Sequence, residues 1–465
     1  MAGASSGGTS SSGGAAYPSF SSRIAFIIVA AGSAVGLGNV WGFPYVAGQN
    51  GGGGFVLIYL LALALVAAPA FMAELMLGRM GKASPPNALA RLQAKAGSRL
   101  HWPLVGWTGL VGTILVLSFY AVIAGQAMDY AIEAAKGGFA GWTDQQVQAL
   151  DADFKSSIPM MALWSAIFMA LTALIVSFDI NTGLEKAGKV MMPALLMILL
   201  GMVIYSGNTG DFAAAVDFLF GFHKMEITPH LFLEAVGQAF FTLGVGVGGI
   251  MTYGSYMGRD VNLPRATLWV VAMDLFVALA AGLAIFPLVF SSGVSAAAGP
   301  GLVFLTLPLI FADIPGGAIV AFAFFILLTF AAVTSSISLL SPTVARLEEA
   351  GWSRRKGAAL MASLAVIISL LTAYSFAGGK QVFPLASLGF DGMTYFDLIR
   401  EGVSNFILPL SGLAYALMVG WALQREDVRA ALPMDDGLMF RAWHGVIRYV
   451  TPLSIAALFV GAFVG

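Results

Sequence analysis

Residues 30 to 44 read AAGSAVGLGNVWGFP, and this stretch decides the fold. It continues an apolar run that begins near Arg23, and it sets Gly32, Gly36, Gly38 and Gly42, with a serine and Asn39, inside what should be a membrane helix. Glycine costs about 1 kcal/mol against alanine in a helix interior. Hydrocarbon accepts broken backbone only where protein or a wet cavity meets the freed amides and carbonyls. The segment therefore predicts an interrupted helix lining a polar site at mid-depth. A second stretch, FTLGVGVGG at residues 241 to 249, repeats the pattern roughly half a chain later. Two glycine-broken spans in corresponding halves point to a secondary transporter built on internal repeats.

The composition agrees: 58% hydrophobic residues, 10% charged and a mean hydropathy of +0.86 describe a helical integral membrane protein. Its apolar runs are long, not alternating segments of about ten, which argues against an outer-membrane barrel. A net charge of -1 gives no electrostatic case for nucleic acid. Cysteine is absent, removing disulfides, thiol catalysis and iron-sulfur chemistry. His101, His223, His230 and His444 fall mostly at span ends without metalloprotease spacing, and no Walker A motif is present. No organic cofactor and no obligate protein partner are expected.

Eleven spans are expected, near 22-47, 54-80, 103-133, 159-179, 185-206, 230-257, 265-290, 315-347, 357-376, 395-422 and 443-463. Residues 1-21, Gly/Ser-rich and uncharged, read as a disordered tail and not as a signal peptide. Residues 134 to 158 and 207 to 229 read as longer polar connections, and 299 to 314 as a re-entrant or lid segment cut by Pro308. Lysine and arginine crowd one side, with Arg23, Arg79, Lys82, Arg91, Lys186, Arg259, Arg265, Arg354, Arg355 and Arg425 among them. The other side keeps Lys136, Lys155, Lys224 and Lys380, with Arg400 near a span end. The bias puts the N-terminus in the cytoplasm, and an odd span count puts the C-terminus outside.

Within the spans, Asp274 stands in WVVAMDLFVALAAGLAIFP with no basic residue for several turns. A carboxyl there either is neutral or meets a cation. Asn39 and Thr242 carry the hard oxygens that alkali ions prefer, and Thr334, Ser335 and Ser336 in AAVTSSISLLSP supply a third cluster. A lone TSS usually bonds back to its own helix, but beside two broken helices and a buried aspartate the ion reading gains. Glu74 in FMAELMLGR either couples directly or is held by neighbouring donors.

These residues also carry a family likeness. GSAVGLGNVWGFPY, QNGGGGF, Glu74, Phe119-Tyr120, GQAFFTLGVGVGGIMTYGSY at 237 to 256, Asp274 with AGLAIFP, and FAAVTSSISLLSP follow one another in order. The chain resembles the neurotransmitter:sodium symporter family, whose bacterial members have the LeuT-type fold. The resemblance implies an all-α membrane protein, a 5+5 inverted repeat with unwound helices one and six. The repeats would fall at 22-206 and 230-422, joined by an extracellular connection at 207-229 and followed by a loop and eleventh helix at 423-465.

It implies two sodium sites. One takes the backbone of Ala34 and Thr242, the side chains of Asn39, Thr242 and Asp274, and the substrate's carboxylate. The other takes carbonyls of Gly32, Val35 and Ala331 with the hydroxyls of Thr334 and Ser335. The amides of Leu37 and Gly38 and the Tyr120 hydroxyl would receive the carboxylate. Phe241 would lie over the substrate, with Val116, Gly244, Val247, Ser335 and Leu339 completing the pocket.

Family members that need chloride carry asparagine at Asp274 and serine at Ala278, so transport here should be chloride-independent. Gly36, where monoamine carriers place an aspartate, leaves room for an amino acid's own carboxylate. Gly244 and Val247 lack the bulk of many relatives and point to large apolar or aromatic side chains, with an ω-amino acid such as GABA or taurine as the alternative. Gly42 and Tyr17 stand where arginines of the outer and inner gates are usual, while Asp397 and Glu349 are kept. Arg400 is expected to neutralise Asp397 instead. The implied activity is sodium-coupled import of a neutral amino acid across a bacterial inner membrane by alternating access. A passive solute channel, a membrane-embedded enzyme and proton coupling through Asp274 or Glu74 are the rivals.

Overall fold

The computed structural model describes residues 18-221, 228-258, 261-293, 301-379, 392-432 and 437-464. Helices and their connections account for all of it, and no strand occurs among the described residues. That is the solution hydrocarbon imposes, because a helix satisfies its own backbone. Tyr17, Lys224, Arg259 and Lys380, and the tail up to residue 17, lie outside the described residues.

The first span is broken as the glycines require. Helix α1, Arg23–Ala34, stops at Val35, and α2, Gly38–Gln49, resumes at an angle of 50°. Next come α3 (Gly53–Gly81), α4 (Pro85–Ala96) and α5 (Pro103–Ala135). A short surface helix α6 (Asp144–Ser156) leads into α7 (Ile158–Val176) and α8 (Leu184–Thr209), followed by α9 (Phe212–Phe220). The sixth span is also broken, into α10 (Pro229–Leu243) and α11 (Gly249–Ser255). Gly244, Gly246 and Gly248 between them all have positive φ, at 64°, 100° and 80°, a backbone that side chains resist.

Beyond it lie α12 (Leu263–Ser291), α13 (Leu302–Asp313), α14 (Gly317–Glu349), α15 (Arg354–Phe376), α16 (Tyr395–Ala422) and α17 (Arg425–Ala431), with a last helical stretch over 438-464. By length and apolarity eight single helices among the described residues can cross a membrane, or nine with the bent pair. The shortfall from eleven falls on the two halves of the sixth span and on 438-464. The connections expected at 134 to 158 and 207 to 229 carry helices of their own, α6 and α9. Residues 302-313 form a helix too short to cross, which suits a lid or re-entrant segment.

Proline shapes several helices. Five π turns, at Gly38–Gly42, Leu63–Ala67, Leu302–Thr306, Gly402–Ile407 and Val446–Val450, each end two residues before a proline. Proline lacks a donor and crowds the carbonyl four residues back, and a turn widened to i→i−5 bonding absorbs both defects.

Small residues let α3 and α11 touch along their backbones. A Cβ at Gly78 would overlap the Met251 carbonyl, and one at Gly254 would overlap the Leu75 carbonyl. Close backbone approach of this kind is how membrane helices gain packing energy without a hydrophobic drive. Gly78→Leu should therefore lower thermal stability by about 3 kcal/mol, the upper end of overpacking costs. Gly201→Leu, at an exposed position with nothing within 4 Å, should leave the melting temperature unchanged. Equal melting curves for the two variants would refute this packing.

Candidate functional site

The two breaks face each other across a cavity of about 60 Å³. Its wall is Ser33, Ala34, Gly36, Leu37 and Gly38 from the first break, and Phe241, Thr242, Gly244, Val247, Gly249 and Ile250 from the second. Val116 and Tyr120 of α5, Ser335, Ser338 and Leu339 of α14, and Leu408 of α16 complete it. The ten residues expected to meet substrate, together with Ala34 and Thr242 of the sodium site that shares the cargo's carboxylate, all border this one space. Ser33, Gly249, Ile250, Ser338 and Leu408 were not foreseen. Ser338 had a signal, since it stands three residues from Ser335 on one helix face; Leu408 joins only through tertiary packing.

One side of the cavity is a nest of backbone polar groups. The Leu37 amide donates to Tyr120 Oη at 3.4 Å, and the Gly36 amide donates to Asn39 Oδ1 at 3.0 Å. A Cβ at Gly36 would overlap the Ser335 hydroxyl and stand 3.3 Å from the Tyr120 hydroxyl. Glycine at this position is thus favoured by the close approach of these two side chains. Gly244 differs, because nothing lies within 4 Å of its Cβ position.

Behind the nest lies Asp274, fully buried. Asn39 Nδ2 donates to its Oδ1 at 2.7 Å and to its carbonyl at 3.1 Å, while Oδ2 has no hydrogen-bond partner among the described residues. Thr242 Oγ1 bonds back to the Ala239 carbonyl at 3.3 Å and stands 3.3 Å from the hydroxyl of Tyr59 on α3. Tyr59 was missed from sequence, where a tyrosine in an apolar run gives no sign of the face it takes. Buried carboxylate oxygen without a donor is costly unless a cation completes it.

A second oxygen cluster joins α1 to α14. Thr334 Oγ1 donates toward the carbonyls of Phe330 at 3.0 Å, Ala331 at 3.1 Å and, across the gap, Val35 at 3.4 Å. Ser335 Oγ reaches the carbonyls of Ser33 at 3.2 Å and Val35 at 3.4 Å. Gly32 packs beside them, its Cβ position 3.6 Å from Thr334 Cβ. Ser336 turns the other way, toward Thr172 on α7 at 2.7 Å, as a helical step of 100° dictates. The expected three-residue cluster is therefore two residues.

Glu74 holds the second break together. Its buried carboxylate accepts from the amides of Gly246 at 2.8 Å, Gly248 at 3.1 Å and Met251 at 3.2 Å. Of the two roles open to it, the neighbouring-donor role is the one the geometry displays.

The gate residues part from expectation. Gly42 leaves room for Gln238, whose Nε2 donates to the Gly38 carbonyl at 2.9 Å. Arg400 does not neutralise Asp397: it pairs with Glu401 and lies over the Phe396 ring. The Asp397 carboxylate is turned back to cap its own helix, accepting from Thr394 N at 3.0 Å and Thr394 Oγ1 at 2.7 Å. On the opposite face Glu349 takes the Ser84 amide at 2.7 Å, the Ser84 hydroxyl and Asn87 Nδ2 at 2.6 Å. The segment before α1 is held by another acid, since Ser21 donates its amide at 3.0 Å and its hydroxyl to Glu185.

Comparison with known proteins bears on this arrangement. The family model described as "Sodium:neurotransmitter symporter family" matches residues 17–149 and 140–464. An uncharacterized sodium-dependent transporter, YhdH of Bacillus subtilis, is 34% identical over 447 residues, covering 95% of this chain and 96% of its own. The sodium-dependent neutral amino acid transporter B(0)AT2 of Bos taurus is 24% identical over 58% of this chain and 40% of its own length. The crystal structure of MhsT in complex with L-phenylalanine superposes with a TM-score of 0.86 at 35% identity, covering 96% of this chain and 100% of that one.

Glu74→Gln replaces an acceptor with an amide donor facing other donors. It should cost about 1–3 kcal/mol for the group left unsatisfied and lower sodium-dependent ligand affinity at least tenfold. Unchanged binding by the purified variant would remove Glu74 from its place as clamp of the broken helix.

Proposed function

This chain belongs to the sodium:neurotransmitter symporter family, and we propose that it carries a neutral amino acid with a bulky apolar or aromatic side chain, together with sodium, into a bacterial cell. The observation that carries the reading is the buried Asp274 oxygen without a hydrogen-bond partner among the described residues, set beside Asn39, Thr242 and the first helix break. Sodium is cargo here, and the donors present suit it: hard oxygens from carboxylate, hydroxyl and freed carbonyls.

At one sodium site Asp274 supplies the fixed charge, with Thr242 and the Ala34 backbone as neighbours. Asn39 joins by rotating its amide, so that Oδ1 replaces the Nδ2 group now aimed at Asp274. At the other, Thr334 and Ser335 give up their bonds to Val35 and Ser33, and the carbonyls of Val35, Ala331 and Gly32 turn to the ion. Substrate carboxylate meets the amides of Leu37 and Gly38 at the start of α2, with Tyr120 donating from the side. The same carboxylate completes the Asp274 site, so cargo and ion raise each other's affinity.

A cavity of about 60 Å³ lies well below the few hundred Å³ of an ordinary ligand pocket. A bulky side chain must enlarge it, and open space at Gly244 with the short Val247 marks where it grows. Ligand binding thereby selects among conformations of the two five-helix halves, 22-206 and 230-422, which is what alternating access requires. The N-terminus faces the cytoplasm and the C-terminus the outside, by the lysine and arginine bias.

Proteoliposomes with an inward sodium gradient should accumulate L-phenylalanine above its equilibrium level, and replacing sodium with choline should abolish the excess. Equilibration without accumulation would favour a channel, and a screen that finds only GABA or taurine would favour the ω-amino acid reading. Because Asp274 supplies the negative charge, wild-type uptake should ignore chloride. Asp274→Asn should lose at least tenfold of its uptake without chloride and regain part with it; an unaffected variant would sink the assignment. Val247→Phe should shift competition from phenylalanine toward alanine by about tenfold, on the order of 1.4 kcal/mol.

A further inference from the structure

A second concavity, sharing no lining residue with the cargo site, lies where α1 and α12 begin. It is an open groove of about 490 Å³ lined by Ser22, Arg23, Ile24, Ile27, Ile28 and Trp269. We propose that this groove binds one anionic phospholipid, with an acyl chain laid along the three isoleucines against Trp269 and the phosphate held between Arg23 and Arg265.

The floor is shaped for a chain. Ile24, Ile27 and Ile28 share one face of α1 at helical spacing, and Ile24 is 68% exposed, Trp269 57%. So much apolar surface at a helix end needs a cover, and in a membrane protein that cover is lipid. Trp269 has the amphipathic ring that settles at headgroup level.

The charge suits a phosphate: Arg23, the first residue of α1, lines the groove itself, and Arg265 lies just beyond its lining, one turn before Trp269 on the same face of α12. Both side chains are exposed, and neither makes an ion pair among the described residues. Neither helix has an acid in its first turn, so each arginine sits where the helix dipole opposes a cation. An anion placed between them relieves both, and a planar guanidinium matches phosphate oxygens in pairs. A zwitterionic lipid would bring its own cation into the same corner, which gives the preference for net negative headgroups.

Both helices start on the same side, which the proposed orientation makes cytoplasmic, the side of negative surface potential. Only the choice of leaflet rests on that orientation. The grip bears on transport because α1 ends at Val35, whose carbonyl faces Thr334 and Ser335.

The test is native mass spectrometry of the full chain released from vesicles of equal phosphatidylglycerol and phosphatidylcholine. Wild type should keep one phosphatidylglycerol per chain with at least tenfold preference, and raising the salt should release it. The Arg23→Gln/Arg265→Gln variant should lose the adduct, Arg23→Lys/Arg265→Lys should retain it, and Arg355→Gln, an exposed cation elsewhere on that side, should match wild type. Equal retention of both lipids, salt-insensitive retention, or an undiminished adduct in the double glutamine variant would overturn the proposal. Should that variant not fold, wild-type headgroup preference and its salt dependence decide alone. Selective retention by a chain that transports nothing would leave the lipid site standing and remove the transport reading; transport by a chain without lipid preference would do the reverse.

Discussion

At mid-depth in hydrocarbon a free amide or carbonyl costs several kcal/mol, and meeting that cost governs how this molecule is built. The second break is met by one carboxylate, Glu74, which takes three amides from Gly246, Gly248 and Met251. The first is met piecemeal, by Asn39 for Gly36, Tyr120 for Leu37, Gln238 for Gly38, and Thr334 and Ser335 for Val35. Satisfied this way, the breaks remain open to exchange. A side chain that holds a peptide group by one bond can yield it to an ion or a carboxylate, whereas a wound helix cannot.

That difference separates the permanent parts of the site from the exchangeable ones. Glu74 makes three bonds to one element and holds the sixth span in its broken form. The Thr334 and Ser335 hydroxyls each divide their reach between their own helix or neighbours and the facing strand of backbone, with long contacts of 3.4 Å to Val35. Asp274 keeps one oxygen without a hydrogen-bond donor among the described residues. Long contacts of 3.4 Å, to the Val35 carbonyl and from the Leu37 amide, fall where sodium and cargo are proposed to enter. The short Asn39–Asp274 bond there, 2.7 Å, is the one an amide rotation would have to exchange. At Gly42, where an outer-gate arginine is expected, the contact is neutral: Gln238 reaches the Gly38 carbonyl in the space the glycine leaves.

Much of this was legible in the chain because the signals are local. Glycine clusters marked both breaks, and apolar runs marked the spans closely: 395-422 was read for a helix running Tyr395–Ala422, and 103-133 for Pro103–Ala135. Pro103 opens one of them and a Thr394–Asp397 capping box the other, and both signals act within a turn or two. The twelve cavity residues came from family likeness, which stores tertiary information that periodicity lacks. Tyr59, Ile250 and Leu408 were not read, since nothing in an apolar run says which neighbour it will face. Arg400 was misassigned for a related reason: spacing allowed a bond to Asp397, but that carboxylate was already committed to its own helix end.

The central claim is that cargo and sodium share one cage between the broken helices, and linkage between them tests it most directly. Calorimetric titration of purified protein should give an L-phenylalanine affinity that rises with sodium, and a sodium affinity that rises by the same factor with L-phenylalanine. Amino-acid binding of equal strength in sodium and in choline would contradict the account, because a shared cage cannot bind one occupant indifferently to the other.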